Sequence, residues 1–230
     1  MQGFTLIELS VVLAIIGLVA GGILGTRSYL RNAELVSAIE GAQQYLVAAQ
    51  RFQTQYAELP GDMNSALSVW STAAGNGDGD GVIGSTNAEF FLAFNHLMKA
   101  NLIKGQFTGV AGGSGSLDGD RGINLPALPG TDTSGYLQSA AGGFITGNTA
   151  FFDGLYDLTF TLGREQSGNA LPTNGFVAPA DAQQLDRKFD DGMPATGAVR
   201  TFKGVSGCVD GTTYDISSTS VACRFLISTH

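Results

Sequence analysis

The chain has 230 residues and a formal net charge of −8, from 20 acidic and 12 basic residues. This balance disfavours nucleic-acid binding, which needs clustered Lys and Arg to neutralise phosphates, so no nucleic-acid partner is expected. Charged residues are sparse and there are 33 glycines, which favours a loop-rich secreted protein over a cytosolic enzyme.

A long apolar stretch opens the chain. The sequence from Phe4 to Gly25 is almost wholly apolar, and its single charge is Glu8. As a helix it would be roughly 30 Å long, enough to cross the hydrocarbon core of a bilayer. A carboxylate inside such a segment costs about 2.5–3.5 kcal/mol, so Glu8 is expected to have a function. A signal peptide, a plain anchor and a buried core helix are the alternatives, and Glu8 argues against the first two.

Gly3, followed by Phe4-Thr5-Leu6-Ile7-Glu8 and the apolar run, resembles the N-terminus of the type IV pilin and pseudopilin superfamily. The resemblance implies that prepilin peptidase cuts after Gly3 and that Phe4 is then methylated. It implies a protein of the bacterial inner membrane, with its head in the periplasm. The subunit would later join an extracellular pilus or a periplasmic pseudopilus.

The resemblance also implies the partners of the chain and a role for Glu8. The partners would be copies of the same chain, other pilin-like subunits, prepilin peptidase, and an inner-membrane assembly platform with its ATPase. In the fibre, Glu8 would pair with the amine of Phe4 on a neighbouring subunit, which offsets the burial of both charges and selects the axial register.

The helix is predicted to continue as an amphipathic segment. Its apolar residues recur at spacings of three and four: Leu35, Ile39, Ala42, Leu46, Ala49, Phe52 and Tyr56. This face should pack on the head, and the opposite face should contact neighbouring subunits. Residues 59–61, Leu-Pro-Gly, should end the helix. The predicted division is therefore a leader (1–3), a transmembrane and filament-core helix (4–26), its amphipathic continuation (27–59) and a globular head (60–230).

A glycine-rich acidic loop follows at residues 75–83. Its alternating oxygen ligands and turn glycine, Gly81, match the first half of a calcium loop. The usual bidentate glutamate is absent, because Asn87 occupies its place and Glu89 follows two residues later. The alternative is a flexible acidic turn without an ion. If calcium is the cofactor, the candidate ligands are Asn76, Asp78, Asp80, the backbone carbonyl of Val82, and Glu89.

The rest of the head is predicted to contain short elements. Asp62 should cap a short helix, and the capping box at residues 86–89 should open a helix through Ala100. Alternating residues at 155–162 and strand-like runs at 199–202 and 221–227 indicate a small sheet. A short helix is expected at residues 181–190, followed by another acidic turn at residues 190–192. The fold class is α+β: a long N-terminal α-helix packed on a loop-rich head with a small antiparallel β-sheet, as in pilins.

Cys208 and Cys223 are the two cysteines. In a head outside the cytoplasm they should form a disulfide, similar to the C-terminal loop of many type IV pilins, and the alternative is two buried thiols. No familiar catalytic motif occurs, so an enzyme is not expected. The leading function is a structural subunit of a type IV pilus or related filament. A type II secretion pseudopilin and a minor tip pilin or adhesin are the alternatives.

Overall fold

The computed structural model describes residues 5–129 and 132–229, without the side chains of residues 21–29 and Asn87. Its largest element is the helix α1, Leu6–Tyr56. The helix ends at Ala57, where a φ of 59° turns the backbone into the left-handed region. It therefore stops slightly before the predicted Leu-Pro-Gly stop, because the chain has already turned.

The second half of α1 lies against the head. The predicted apolar face is confirmed, since six of its residues are at most 2% exposed and Tyr56 is partly buried against the same core. The six are Leu35, Ile39, Ala42, Leu46, Ala49 and Phe52. The periodicity of the sequence thus gave the orientation of this half of the helix correctly.

Shorter helices follow: α2 (Ala66–Val69), α3 (Glu89–Lys99) and α4 (Pro179–Phe189). The predicted capping box was wrong. Residues 86–88 form a 3-10 turn, and Ala88, which precedes α3, makes no side-chain cap. The carboxylate of Glu89 instead accepts hydrogen bonds from the backbone of the acidic loop. The predicted Asp62 cap was also wrong, because Ser65 holds the N-cap position of α2.

The strands of the head are short and antiparallel. In chain order they are β1 (Thr133–Gln138), β2 (Phe144–Ile145), β3 (Gly154–Leu155), β4 (Thr159–Arg164), β5 (Val199–Arg200), β6 (Val209–Asp210), β7 (Thr213–Tyr214) and β8 (Phe225–Ser228). The main sheet has the order β1-β4-β8-β5, and β2–β3 and β6–β7 form separate two-stranded ladders.

Aromatic side chains join α1, α3 and the main sheet. The ring of Tyr45 on α1 stacks on that of Phe160 on β4, with centroids 5.7 Å apart. Phe94 on α3 lies 6.4 Å from the same Phe160 ring. Phe94 and Phe160 are fully buried, so one hydrophobic core connects the helix to the sheet. The expected α+β fold is confirmed.

Among the residues that the structure describes, no helix is both long enough and apolar enough to cross a membrane. Phe4 and the side chains of residues 21–26, all in the predicted membrane segment, lie outside the described residues. The predicted division of the chain at residues 3, 26 and 59 stays a prediction.

Candidate functional site

The first half of α1 carries exposed aliphatic side chains. Residues 5–20 are all exposed, and the large ones range from 48% exposed at Val12 to 90% at Leu6. They point in every direction around the helix, so no face is left for the head to cover. An isolated chain in water would leave this apolar surface hydrated, which the hydrophobic effect opposes.

Glu8 lies in the first turn of α1 and closes a capping box with Thr5. Its Oε2 accepts hydrogen bonds from the Thr5 backbone N–H at 2.9 Å and from the Thr5 hydroxyl at 2.8 Å. The Glu8 N–H donates in return to the Thr5 Oγ1 at 3.3 Å. These bonds satisfy helix N-terminal donors and fix the carboxylate close to the start of the helix. Gly3 and Phe4, the predicted cleavage and methylation residues, lie outside the described residues.

The acidic loop packs against the turn that follows α1. The Gly77 N–H donates to the Met63 carbonyl at 2.9 Å, and the Gly79 N–H donates to the Asp62 carbonyl at 3.0 Å. The two backbones are so close that a Cβ on Gly77 would lie 2.2 Å from the Gly61 carbonyl oxygen. Glycine is required there because any side chain would force the segments apart.

His96 links the turn that follows α1 to the start of the acidic loop. Its Nδ1 accepts the Gly61 N–H at 3.0 Å, so its Nε2 carries the proton and donates to the Gly75 carbonyl, also at 3.0 Å. The ring is fully buried, and desolvation lowers the pKa of His96 below its ordinary value. His96 therefore has a structural role, because both ring nitrogens are used to hold backbone groups.

Three carboxylates meet where the loop crosses the turn. One oxygen each from Asp62, Asp78 and Asp80 lies within 4.8 Å of the others. Asp62 is 3% exposed, whereas Asp78 and Asp80 are exposed. Burial raises the pKa of Asp62 above its ordinary value. An acidic cluster of this kind could hold a metal ion.

The predicted ligand set is only partly brought together. The Asn76 side-chain oxygen accepts the Leu67 N–H at 2.8 Å. The Val82 N–H donates to Asp80 Oδ1, also at 2.8 Å. Glu89 is 1% exposed and accepts from the N–H groups of Asp78 at 3.2 Å and Gly84 at 2.9 Å.

Glu89 lies beside the three aspartates rather than among the grouped carboxylates. Desolvation is the main reason that the pKa of Glu89 is raised to about 7, and the nearby charges of Asp78 and Asp62 add to it. Its carboxylate braces the loop from the start of α3, because both of its oxygens accept backbone N–H groups.

Asp62 is the residue of this cluster that sequence reasoning missed. It precedes Asp78 by 16 residues and Asp80 by 18, and only the packing of the loop on the turn brings it to them. The local sequence at Asp62, an acid after Pro60-Gly61, cannot be distinguished from that of an ordinary helix N-cap.

A second acidic cluster is formed by Asp186, Asp190 and Asp191. Five of its six carboxylate oxygens already accept hydrogen bonds. Asp186 accepts the Tyr214 hydroxyl at 2.8 Å and the Gly192 N–H at 3.1 Å, and Asp190 accepts the backbone N–H groups of residues 198 and 199. Asp186 is fully buried, and desolvation raises its pKa to about 7. These bonds explain the cluster as a structural turn.

The predicted disulfide is confirmed. Cys208 and Cys223 are bonded, with their Cα atoms 5.0 Å apart, and both are fully buried. Cys208 immediately precedes β6, and Cys223 lies two residues before β8. The bond therefore ties the β6–β7 ladder to the main sheet.

Comparison with known proteins identifies the N-terminus. The family model for the prokaryotic N-terminal methylation motif matches residues 1–24. No curated protein and no solved structure matches the chain. The match spans Gly3, Phe4 and Glu8 and most of the exposed apolar half of α1. Residues 1–24 therefore carry the signature of type IV pilins and pseudopilins, which supports a type IV pilin-like or pseudopilin subunit.

Proposed function

We propose that the chain is a structural subunit of a type IV pilus or pilus-like filament, processed by prepilin peptidase and polymerised through its N-terminal helix. One observation carries the proposal: exposure changes along a single continuous helix. The half with the methylation motif is apolar and exposed, whereas the half from Leu35 to Phe52 is packed in the head.

The size of the exposed apolar surface on the first half of α1 supports its burial in a packed fibre. Ten large aliphatic side chains between Leu6 and Val19 are exposed. Fully burying such a side chain stabilises by about 1.5–3 kcal/mol, so ten of them offer on the order of 15 kcal/mol. Lipid would cover this surface before assembly, and the same surface on neighbouring copies would cover it afterwards.

Glu8 favours the fibre over lipid. In lipid its charge costs about 2.5–3.5 kcal/mol, and the capping bonds from Thr5 offset part of that cost. In a bundle of copies, the amine of a processed Phe4 on a neighbouring subunit would neutralise the charge. The apolar surface is covered in lipid and in the fibre alike, so the pairing of the acid with the amine is what favours assembly.

The proposal includes the partners and the compartment. The subunit resides in the inner membrane with its head in the periplasm, and the assembly platform with its ATPase extracts it into the fibre together with other pilin-like subunits. The buried disulfide supports a head that matures outside the reducing cytoplasm. The role is structural rather than enzymatic.

Two alternative functions would give phenotypes that differ from that of a pilus subunit. The C-terminal disulfide favours a pilus subunit, whereas calcium on the head would favour a type II secretion pseudopilin. Lost secretion with pili intact would identify the pseudopilin. Binding of a glycan or surface by the protein would identify a minor tip pilin or adhesin.

The test compares Glu8→Ala with Glu165→Ala, which removes an exposed acid from the head, away from the helix. Mass spectrometry of the mature protein should find methylated Phe4 as the first residue. Glu8→Ala should leave processed protein in the membrane with few sheared fibres by electron microscopy, and Glu165→Ala should assemble normally. A mature N-terminus elsewhere, or normal fibres from Glu8→Ala, would overturn the proposal.

A further inference from the structure

We propose that Asp62 is the central ligand of a calcium site that it forms with Asp78 and Asp80. The site joins the turn after α1 to the acidic loop. It differs from the ligand set predicted from the sequence, because it adds Asp62 and does not include Asn76, Val82 or Glu89.

The Asp62 side chain is buried, and one of its two oxygens lacks a hydrogen bond within the part of the chain that the structure describes. It is 3% exposed, and its Oδ2 accepts the Gly81 N–H at 3.0 Å. Its Oδ1 is also buried, and no group among the described residues donates a hydrogen bond to it. A buried carboxylate oxygen without a partner is unfavourable, so the position calls for a positively charged ligand.

Each of the two exposed aspartates has one carboxylate oxygen that accepts no hydrogen bond among the described residues. Asp78 uses Oδ1 to accept the Asp80 N–H at 3.1 Å, and Asp80 uses Oδ1 to accept the Val82 N–H at 2.8 Å. These local turns hold both side chains in place and leave the second oxygen of each available.

The distances between the carboxylate oxygens of the three aspartates also fit a single bound ion. One oxygen from each of the three aspartates lies within 4.8 Å of the others. Two oxygens that bind one calcium ion at about 2.4 Å each can be at most about 5 Å apart, so the three fit one coordination sphere. Without a cation the same grouping only adds repulsion between carboxylates.

The backbone around the site is fixed before any ion binds. Gly77 and Gly79 donate to the turn at residues 62–63, and His96 connects Gly61 to Gly75. Glu89 braces the loop from α3. Ligands held in this way lose little conformational freedom on binding.

The surroundings favour calcium over magnesium. Magnesium requires near-ideal octahedral geometry, whereas calcium tolerates irregular sets of carboxylates, carbonyls and water. A solvent-open cavity borders Asp62 and is also lined by Glu58, Asn64 and Gly81. This cavity gives the ion an entry path and leaves room for water ligands. In the second acidic cluster, by contrast, five of the six carboxylate oxygens already accept hydrogen bonds, which leaves fewer of them for an ion.

The experiment uses full-length protein in detergent, freed of metal with a chelator and titrated with calcium chloride by calorimetry. Asp62→Asn tests the central ligand, and Asp191→Asn in the second acidic cluster is the matched control. The unaltered protein and Asp191→Asn should bind one calcium ion per chain. Because ligand charge sets calcium affinity, Asp62→Asn should weaken binding at least about tenfold. Magnesium chloride should bind the unaltered protein more weakly than calcium does.

Thermal unfolding gives a second readout that a purely structural Asp62 would not produce. Calcium should raise the Tm of the unaltered protein and of Asp191→Asn but not that of Asp62→Asn. In chelator, Asp62→Asn should be at least as stable as the unaltered protein, because it removes a buried unpartnered charge. Three results would each overturn the proposal: no calcium binding by the unaltered protein at millimolar ion, undiminished affinity in Asp62→Asn, or lost binding in Asp191→Asn. None of these results bears on whether the chain forms fibres, but calcium binding would favour a pseudopilin over a pilus subunit.

Discussion

Replacing Phe160 with alanine tests whether α1 and the sheet share one core. The Phe160 side chain is fully buried, stacked on Tyr45 of α1 and edge-on to Phe94 of α3. Truncating a buried phenylalanine to alanine typically costs about 3–5 kcal/mol, through lost transfer energy and the cavity left behind. Whole domains are stable by only about 5–15 kcal/mol, so Phe160→Ala should lose a large fraction of its stability.

The matched control is Phe144→Ala in β2, where the phenylalanine is 54% exposed. Its expected loss is below about 1 kcal/mol, because exposed side chains change stability little. Urea unfolding of the full-length protein in mild detergent gives both values from the transition midpoints, provided that the slopes are equal.

The fluorescence of the single tryptophan, Trp70, follows the transition. Its ring lies 5.1 Å from that of Tyr56 at the end of α1, so it reports on the docking of the helix. A loss in Phe160→Ala no greater than in Phe144→Ala would refute a core shared by helix and sheet.

Two further predictions concern the C-terminal half of the head. Replacing Cys208 and Cys223 together with serine removes a bond across a sequence separation of 15, and the chain-entropy estimate gives a loss of about 3 kcal/mol. An unchanged urea midpoint would contradict this. The pKa of Asp186 is raised from 3.8 to about 7 when folded, so its contribution to stability is present below about pH 4 and is lost as pH rises through about 7. The unaltered protein should therefore lose stability relative to Asp186→Asn over that window, and a midpoint difference independent of pH would count against it.

The contrast between Phe94 and Glu89 shows where sequence reasoning succeeded and failed within one helix. A helix ending close to Ala100 was predicted correctly, and its Phe94 is fully buried. The capping role of Glu89 was wrong, although the residues at 86–89 fit the pattern. A cap bond is weak and local, and Glu89 finds two backbone donors on the acidic loop that the sequence pattern does not reveal.

The sequence by itself determined the N-terminal motif and the buried face of α1. Both depend on residues within a few positions of one another, on a contiguous signature or on the helical repeat. Only the tertiary structure decided that β8 lies between β4 and β5 and that Asp62 joins Asp78 and Asp80. These groupings join segments that are distant in the chain, and their partners are selected by packing and shared hydrogen bonds, for which a single sequence has no local pattern.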